Sequence, residues 1–523
     1  MTLPPAAPPS GGSLDPVDWT DLRAQGHRML DDMFDYLAGL RERPVWQPAP
    51  AGVRAGFSEP LPRQPSSLEA AHGRFMRDIL PYAVGNAHPG FMGWVHGGGT
   101  AVGMLAETLA AGLNANLGGR NQIPVEVERQ ITRWMRELFN FPEAASGLFV
   151  TGTSMANLVG VLVARAAALG RQVRRTGVAA QTPRLVAYTS ACAHTCIAQA
   201  MDITGLGSDA LRLIPVDRDF RMDAAALRAA IAADRRAGLQ PFLIAGTAGT
   251  VDVGAIDPLD TLADIAADAG AWFHVDGAFG ALAMLSPALA PLLAGIERAD
   301  SIAFDFHKWG QVPYDAGFIL VRDGATHRAA FEASAAYLSR ESRGMAADSP
   351  WPCDYGPDLS RGFRALKTWF TLTVYGADRL GAAIAHTCDV AAHLARRVAA
   401  EPALELLAPV ALNIVCFRYR GNGDETAADD AAAGDPAATR GAPGAGAVDA
   451  LSASDLLNAA IAQAVQESGI AAPSTTRVNG VLAIRAAIVN HRTTPADVDR
   501  LCDAVLRIGA ELAALAPEPE PIP

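Results

Sequence analysis

Two short motifs, each placed where an apolar run ends, bring together residue types that could act on one ligand. The segments are His274–Ala278, with the sequence HVDGA, and Asp305–Trp309, with the sequence DFHKW. Ligands of open α/β sheets bind beside the carboxyl ends of the strands, so Asp276 and Lys308 are expected to face the same ligand. Pyridoxal 5′-phosphate (PLP) needs this pair, because a lysine holds it as an imine and an acid keeps its pyridine nitrogen protonated. The structural alternative is a buried Asp–Lys ion pair.

The rarity of lysine supports Lys308 as the nucleophile. Of the 43 basic residues, Lys308 and Lys367 are lysines and all the others are arginines. Arginine stays protonated and forms no imine, whereas a lysine amine can lose its proton and attack a carbonyl group. A chain with almost no lysine is expected to keep one where arginine cannot substitute, although chance retention of either lysine is the simpler alternative.

A phosphate site and a ring partner for the ligand are also expected. Thr153 and Ser154 follow Gly152 between a predicted strand and a helix, where hydroxyl and backbone N–H groups could bind a phosphate. Helix N-caps have the same composition, so capping alone is an equal alternative. His194 follows the strand that ends at Tyr188, and a lone histidine in such a place is more often structural.

Composition argues against several classes of partner. The formal net charge is −12 and no Lys/Arg block occurs, so neither a nucleic acid nor an anionic membrane surface is expected. The sequence shows no uninterrupted apolar span of membrane length and no signal-peptide pattern. The six cysteines have no metal-ligand spacing and are expected to be reduced thiols. Together these features predict a cytoplasmic protein without a metal site.

The order of predicted elements indicates an α/β protein with a mostly parallel sheet, because apolar strands alternate with helices such as Leu259–Ala269. A long helical stretch is predicted for Trp369–Val398, two helices are predicted within 101–140, and Pro44–Pro65 is expected to be extended. The predicted strands are Leu148–Val150, Arg184–Tyr188, Pro241–Ala245, Trp272–Val275, Ser301–Phe304, Gly317–Val321, Asn413–Tyr419 and Val481–Ile488. The other predicted helices are Trp19–Leu40, Ser454–Ser468 and Pro495–Leu515.

Seven motifs, taken in order, resemble those of a known family. They are HP-x-F at His88–Phe91, followed by TGTSMANL, SACAH, AGTAGT, HVDGA, DFHKW and RGFRALKTWF. In these motifs the chain resembles the group II PLP-dependent amino-acid decarboxylases, which include aromatic-L-amino-acid, histidine and glutamate decarboxylases. The resemblance runs from about residue 17 to residue 515 and is interrupted by residues 421–450. HVD-x-A followed by HKW is its most specific part.

This resemblance implies fold type I of the PLP-dependent transferase-like enzymes, in a homodimer with active sites at the subunit interface. It implies decarboxylation of an L-amino acid through a Schiff base on Lys308, with Asp276 at the pyridine nitrogen and His194 stacked on the ring. The other cofactor-binding residues that it implies are Thr153, Ser154, Thr247, Ala278, Asp305 and His307. The implied domain order is a disordered tail (1–16), an N-terminal helical dimerisation segment (17–100), a large PLP-binding α/β domain (101–385), a small C-terminal domain (386–515) with a disordered insertion (421–450), and a second tail (516–523).

The loop that carries a catalytic tyrosine in the family differs in this chain. Family decarboxylases use that tyrosine to reprotonate the substrate carbon, and counting back without gaps from Arg361 places Pro352 at its position. The polar, Gly/Pro-containing segment 339–356 is typical of a mobile lid, and its one tyrosine is Tyr355. We predict that Tyr355 is the acid, the alternative being that it packs at the base of the loop.

The predicted substrate pocket also differs from that of the aromatic decarboxylases. Trp94 and His96 stand where those enzymes have a tyrosine and a proline, and the stretch that ends at Arg120 replaces apolar side chains with small or polar ones. We therefore predict an L-amino acid substrate, and Trp94, His96 and Arg120 as its pocket, without naming which amino acid binds.

Three other functions fit parts of the sequence. The HGGG segment His96–Gly99 occurs as an oxyanion motif in some esterases, but the G-x-S-x-G nucleophile elbow that such enzymes need does not occur in this chain. Loss of the usual loop tyrosine would suit oxidative deamination to an aldehyde, in which oxygen intercepts the reaction. A catalytically silent scaffold is disfavoured because Lys308, Asp276 and His194 are all present.

Overall fold

The computed structural model describes residues 14–16, 18–179, 182–332, 341–421 and 452–515 of the 523-residue chain. The predicted tails and the predicted insertion at 421–450 lie almost entirely outside these ranges, and the predicted lid 339–356 lies partly outside them. No helix in the described ranges is long and apolar enough to cross a membrane.

The helices differ widely in length and are distributed along the whole chain. They are α1 (Trp19–Ala38), α2 (Ala51–Ala55), α3 (Leu68–Arg74), α4 (Ala101–Leu113), α5 (Ile123–Leu138), α6 (Thr153–Leu169), α7 (Val173–Thr176), α8 (Cys196–Ile203), α9 (Ala224–Arg236), α10 (Leu259–Ala269), α11 (Gly324–Phe331), α12 (Arg364–Tyr375), α13 (Ala377–Ala400), α14 (Ala453–Glu467) and α15 (Pro495–Leu515).

The strands form two sheets. They are β1 (Phe91–Met92), β2 (Ser146–Val150), β3 (Leu185–Ser190), β4 (Leu211–Ile214), β5 (Gln240–Thr247), β6 (Trp272–Asp276), β7 (Ser301–Asp305), β8 (Gly317–Val321), β9 (Leu404–Leu406), β10 (Ile414–Tyr419), β11 (Ala472–Val478) and β12 (Val481–Ala487).

The large sheet has seven strands in the order β2-β8-β7-β6-β5-β3-β4. Strands β4, β3, β5, β6 and β7 are mutually parallel, and β8 is antiparallel to both of its neighbours. Strands β3, β5, β7 and β8 are buried or nearly so along their length, because helices cover both faces of the sheet. The predicted α/β class with a mostly parallel sheet is confirmed.

A second sheet of five strands, in the order β1-β11-β12-β10-β9, has its own apolar core with α13, α14 and α15. The N-terminal segment reaches this sheet through β1, which pairs in parallel with β11, so Phe91 lies opposite Ala472. The other pairs are antiparallel.

Some element predictions were wrong. The long helix predicted for Trp369–Val398 is two helices, because Gly376 adopts φ 75° between α12 and α13 and ends the first of them. The segment Pro44–Pro65 contains the short helix α2 rather than being extended throughout. Strands β1, β4, β9 and β11 were missed. They are two to seven residues long, and β4 and β11 carry polar or exposed side chains that break the apolar pattern.

A buried ion pair joins the RGFRALK segment to the large sheet. Arg361 and Glu128 are 4% and 3% exposed, and Arg361 Nη2 donates to Glu128 Oε1 at 2.6 Å. The same guanidinium donates to the carbonyl oxygens of Leu117 and Phe149, each at 2.8 Å. Glu128 Oε1 also accepts from the Phe149 N–H at 3.1 Å. One arginine therefore holds α5, β2 and the loop that follows α4 in a fixed arrangement.

We expect Arg361→Leu to lower the free energy of unfolding by about 3–5 kcal/mol, because it leaves the Glu128 carboxylate buried without its partner. The change is measured as a shift of the urea midpoint at constant m-value. The matched control is the double variant Arg361→Leu/Glu128→Leu, which removes both charges and should cost clearly less than the sum of the two single leucine variants. Additive losses would show that the pair is not coupled.

Candidate active site

Three neighbouring parallel strands end at one edge of the large sheet and carry polar residues there. Thr247 is the last residue of β5, Asp276 of β6 and Asp305 of β7, and Thr247 pairs in register with Asp276. Lys308 follows the end of β7 by three residues. The topology therefore brings the acid and the amine of the two sequence motifs to the same edge.

Asp276 is a buried carboxylate, with 3% of its surface exposed. Its Oδ2 accepts a hydrogen bond from Asn157 Nδ2 at 3.0 Å, and its Oδ1 accepts one from the Ala278 N–H at 3.1 Å. Burial raises the pKa of Asp276 above its ordinary value, while the charge of Lys308 and the hydrogen bond from Asn157 oppose that rise.

The Lys308 amine contacts Asp305 rather than Asp276. Its Nζ lies 2.9 Å from Asp305 Oδ2, and the Lys308 side chain is 21% exposed. Burial disfavours the charged amine, but the contact with Asp305 and the charge of Asp276 together oppose it, and the pKa of Lys308 lies above its ordinary value. The structural alternative, a direct ion pair between Asp276 and Lys308, is therefore not the arrangement in the structure.

Orphaned buried polar atoms beside Lys308 lie where a phosphate would fit. Thr153 Oγ1 and Asp305 Oδ1 are buried without a hydrogen-bond partner among the described residues. Thr153 begins α6, and the free N–H groups of a helix N-terminus favour an anion. Gly152 faces this space, since a Cβ placed there would stand 3.6 Å from His307 and 3.7 Å from Asp305. Gly152 and Thr153 fit the phosphate of PLP, and Asp305 borders the same space.

Asp305 and His307 have different parts in this cradle. An ionised carboxylate accepts hydrogen bonds and repels a phosphate, so the geometry favours a role for Asp305 on Lys308 and not on the phosphate. Burial lowers the pKa of His307 to about 4, so its ring is neutral at pH 7. Its Nδ1 accepts a hydrogen bond from the Ala316 N–H at 3.0 Å, which fixes the ring.

His194 and Cys196 lie at the start of α8, near Asp276. The Cys196 N–H donates to His194 Nδ1 at 3.1 Å, which orients the His194 ring. Cys196 Sγ lies 3.9 Å from Asp276 Oδ2 and also hydrogen-bonds Ser154. Burial, aided by the Asp276 charge, raises the pKa of Cys196 to about 12, so the thiol stays protonated.

Aromatic rings line one wall near Lys308. The rings of Trp94 and His96 stack with centroids 5.6 Å apart, and Tyr314 lies edge-on to His96 at 5.9 Å and packs 4.2 Å from His307. Burial and the charge of Lys308 both lower the pKa of His96, which places that ring near the amine. Two of the three predicted pocket residues therefore lie on this wall.

Tyr355 and Arg120 lie elsewhere in the chain. The Tyr355 ring packs 5.0 Å from His327, and the Arg120 guanidinium lies 4.9 Å from the Trp351 ring. Within the described ranges, neither side chain shows a contact with Lys308. The acid role of Tyr355 and the pocket role of Arg120 stay predictions.

Sequence analysis did not single out Asn157, Cys196 or Tyr314 for a role at the site. Asn157 lies four residues after Thr153 on α6, and helical spacing alone puts both on one face. Cys196 follows His194 by two residues, but nothing in the sequence shows that its thiol turns towards Asp276. Tyr314 lies in a loop, where no periodic pattern predicts its neighbours.

Comparison with known proteins identifies the family. The family profile described as "Pyridoxal-dependent decarboxylase conserved domain" matches residues 50–420. The chain belongs to this family. It is 29% identical over 503 residues to an aromatic-L-amino-acid decarboxylase of Bacillus atrophaeus, with 95% of this chain and 96% of that protein covered. It is 32% identical over 456 residues to an L-2,4-diaminobutyrate decarboxylase of Rhizobium meliloti (strain 1021), with 87% and 84% covered.

The fold is also found in solved structures. The crystal structure of Oryza sativa TDC with PLP and tryptamine matches with a TM-score of 0.82 at 24% identity, covering 96% of this chain and 100% of that chain. Fold type I, the PLP cofactor and the predicted enzyme class, a PLP-dependent carboxy-lyase, are confirmed by these matches. The relatives' names differ in the amino acid acted on, so family membership leaves the substrate of this decarboxylase-family chain open.

We expect Lys308→Ala to abolish covalent attachment of PLP, because the other lysine is not available. Lys367 is buried and its Nζ lies 2.5 Å from Glu107 Oε1. Borohydride reduction followed by mass spectrometry of the intact chain measures the attachment, and turnover should be lost with it. Lys367→Arg is the matched control and should keep the cofactor bound. Reductive trapping of PLP on the Lys308→Ala chain would contradict the assignment.

Proposed function

We propose that this protein decarboxylates an L-amino acid to the corresponding amine and carbon dioxide, with PLP held covalently by Lys308. The observation that carries the proposal is the pairing at the sheet edge. Lys308 contacts Asp305, and Asp276 is held by neutral hydrogen-bond donors, so Asp276 keeps its charge for the pyridine nitrogen of the cofactor. A purely structural ion pair would have joined the two directly.

When bound, PLP supplies an electron sink for the electron pair that the departing carboxylate leaves behind. The chain's residues provide the rest. Asp276 accepts the hydrogen bond of a protonated pyridine nitrogen, Asp305 orients the Lys308 amine through their 2.9 Å contact, and Thr153 binds phosphate. His194 would stack on the ring, as the family resemblance implies.

The substrate wall supports an amino acid with a planar side chain. Trp94 and His96 present stacked rings, and the neutral His96 and the edge of Tyr314 add polar atoms beside them. Stacked and edge-on contacts of this kind favour flat, partly polar groups over aliphatic chains. We therefore propose an aromatic L-amino acid rather than an acidic or a basic one.

A homodimer that acts in the cytoplasm completes the proposal. Leu105, Leu109 and Leu113 form a stripe on α4 and are 38%, 56% and 59% exposed, while another face of the helix packs against α12. An apolar stripe at four-residue spacing is typical of a helix face that a second chain covers. The family resemblance places the active sites at such an interface, which would bring Tyr355 and Arg120 of one subunit towards the other.

A panel of aromatic, acidic and basic L-amino acids, incubated with the purified PLP-loaded protein, tests the reaction. We expect one amine and carbon dioxide in equal amounts from an aromatic substrate, identified by mass spectrometry. Aldehyde, ammonia and peroxide formed with oxygen consumption would instead indicate oxidative deamination. No turnover of any member, with PLP bound on Lys308, would support the silent scaffold.

Replacing tyrosines identifies the acid that protonates the substrate carbon. If Tyr355 has that role, Tyr355→Phe should lower amine formation about 100-fold while carbon dioxide release continues and aldehyde appears. Tyr314→Phe is the matched control, because Tyr314 is the phenol that packs against His307. The opposite pattern would assign the role to Tyr314. Unchanged amine yields in both variants would leave the proton to His194 or water and make Tyr355 structural.

A further inference from the structure

We infer that Asn157, His274 and Ser301 form a one-directional hydrogen-bond relay that keeps the Asp276 carboxylate ionised and fixed in orientation. This inference rests on the proposed function of Asp276 as the partner of the pyridine nitrogen. Unlike Lys308, none of the three residues lies at the carboxyl edge of the sheet. They act on the site through Asp276 and are positioning residues.

The relay connects residues at the beginnings of β6 and β7 with the first turns of α6. Trp272 Nε1 donates to Ser301 Oγ at 2.8 Å, and Ser301 Oγ lies 2.7 Å from His274 Nδ1. His274 Nε2 lies 2.8 Å from Asn157 Oδ1, and Asn157 Nδ2 donates to Asp276 Oδ2 at 3.0 Å. Four hydrogen bonds of ordinary length therefore connect an indole ring to the carboxylate.

Chemistry at the two ends sets the direction of the whole relay. The indole N–H of Trp272 can only donate, and an ionised Asp276 carboxylate can only accept. The Asn157 amide nitrogen must donate to Asp276, so the Asn157 oxygen is left to accept from His274 Nε2. A neutral His274 that carries its proton on Nε2 has an unprotonated Nδ1, which accepts the hydroxyl proton of Ser301. Every donor points towards the carboxylate.

Burial makes each bond of the relay obligatory. Asn157, His274 and Ser301 are each 0% exposed, so water cannot replace a missing partner. Gly160 allows α6 to pack closely on β6, because a Cβ at this position would stand 2.9 Å from His274 Cε1. Asn157 lies one turn earlier on the same helix. The glycine thus lets the helix approach closely enough for Asn157 to reach both His274 and Asp276.

The relay acts on Asp276 through dipoles rather than through a net charge. Burial lowers the pKa of His274 to about 4, so the ring is neutral at pH 7 and serves as a donor of fixed tautomer. The hydrogen bond from Asn157 favours the ionised carboxylate and opposes the effect of its burial. A neutral relay stabilises the negative charge without cancelling it, so Asp276 can still bind a cationic pyridinium.

The orientation of the Asn157 amide depends on His274. An asparagine amide can turn by 180°, and the two orientations exchange its oxygen and its nitrogen. Without a donor at the position of His274 Nε2, the Asn157 oxygen loses its partner, and the bond from Asn157 Nδ2 to the weak acceptor Cys196 Sγ at 3.1 Å is left to hold the orientation against Asp276. The oxygen can then turn to face Asp276 and repel it. His274 therefore determines whether the Asn157 nitrogen or the Asn157 oxygen faces the Asp276 carboxylate.

The test uses His274→Leu and Asn157→Leu in the full-length protein, with three measurements: PLP dissociation constant, pH dependence of the absorbance of bound PLP, and kcat and KM. We expect a PLP dissociation constant about 10- to 100-fold higher, a shifted pH profile of the absorbance, and kcat lower by a similar factor with little change in KM. His274→Gln keeps a donor near the position of Nε2 and should recover most of each loss.

Val275→Ala is the matched control, because Val275 is buried in β6 but its side chain points to the opposite face of the sheet. It should lower the melting temperature and leave all three measurements near those of the parent. If the leucine variants do not fold, Ser301→Ala carries the test, since it removes a single hydroxyl, the one that donates to His274 Nδ1 and accepts from Trp272 Nε1. It should shift the same three measurements in the same direction by a smaller factor.

Asp276→Asn tests the role of Asp276 separately from the role of the relay. If it greatly weakens PLP binding and kcat while the Asn157, His274 and Ser301 variants match Val275→Ala, the relay is wrong and the role of Asp276 stands. If Asp276→Asn itself leaves PLP affinity, absorbance and kcat unchanged, the role of Asp276 fails and the relay fails with it. Losses in both sets, with recovery in His274→Gln, support the relay.

Discussion

Burying an ionised carboxylate at the end of a central strand is the constraint on which the rest of the site depends. An unpaired charge in such a place costs several kcal/mol, and a carboxylate without partners would take up a proton instead. The charge of Lys308 and hydrogen-bond donors from Asn157 and Ala278 favour the ionised form of Asp276 against both outcomes. Burial still raises the pKa of Asp276, so the ionised and the protonated forms are closely balanced. Small changes among the donors should therefore change the fraction of Asp276 that is ionised.

The two lysines of the chain have contrasting surroundings. Lys308 pairs with Asp305 and keeps 21% of its side chain exposed, whereas Lys367 is almost fully buried against Glu107. An amine that must meet an incoming aldehyde needs access, and one that joins two helices does not. The pairing with Asp305 also fixes the position of the Lys308 amine. The same residue type thus lies accessible at the sheet edge in one place and packs between α4 and α12 in the other.

Close backbone packing, and not an oxyanion role, explains the glycines of the HGGG segment. A Cβ at Gly97 would stand 2.2 Å from the His307 carbonyl oxygen and 2.5 Å from that of Lys308, and one at Gly98 would stand 2.7 Å from the Asn490 side chain. No larger residue fits either position. The glycines let the chain around His96 lie directly against the Lys308 backbone, which brings the aromatic wall to the amine.

The sequence by itself determined the large elements and predicted the two residues that we propose to be reactive, because local patterns carry that information. Apolar runs that alternate with helices predicted the parallel sheet, and the helices Leu259–Ala269 and Pro495–Leu515 were predicted with the bounds they have in the structure. Strand ends that carry Asp276 and Lys308 indicated the site. Short or polar strands such as β4 and β11 were missed, since their stability comes from neighbours and not from their own apolar pattern.

Tertiary structure decided which groups contact each other. Residues 157, 274 and 301 meet in one relay because α6 packs across β6 and β7, and the pairing of Lys308 with Asp305 depends on the same packing. Residues far apart in the chain carry no sequence signal of such contacts. Tyr355 shows the same limit. Its place in a polar segment suggested an acid, but the fold packs its ring against His327. Chemistry can be inferred from residue types, whereas partners depend on three-dimensional packing.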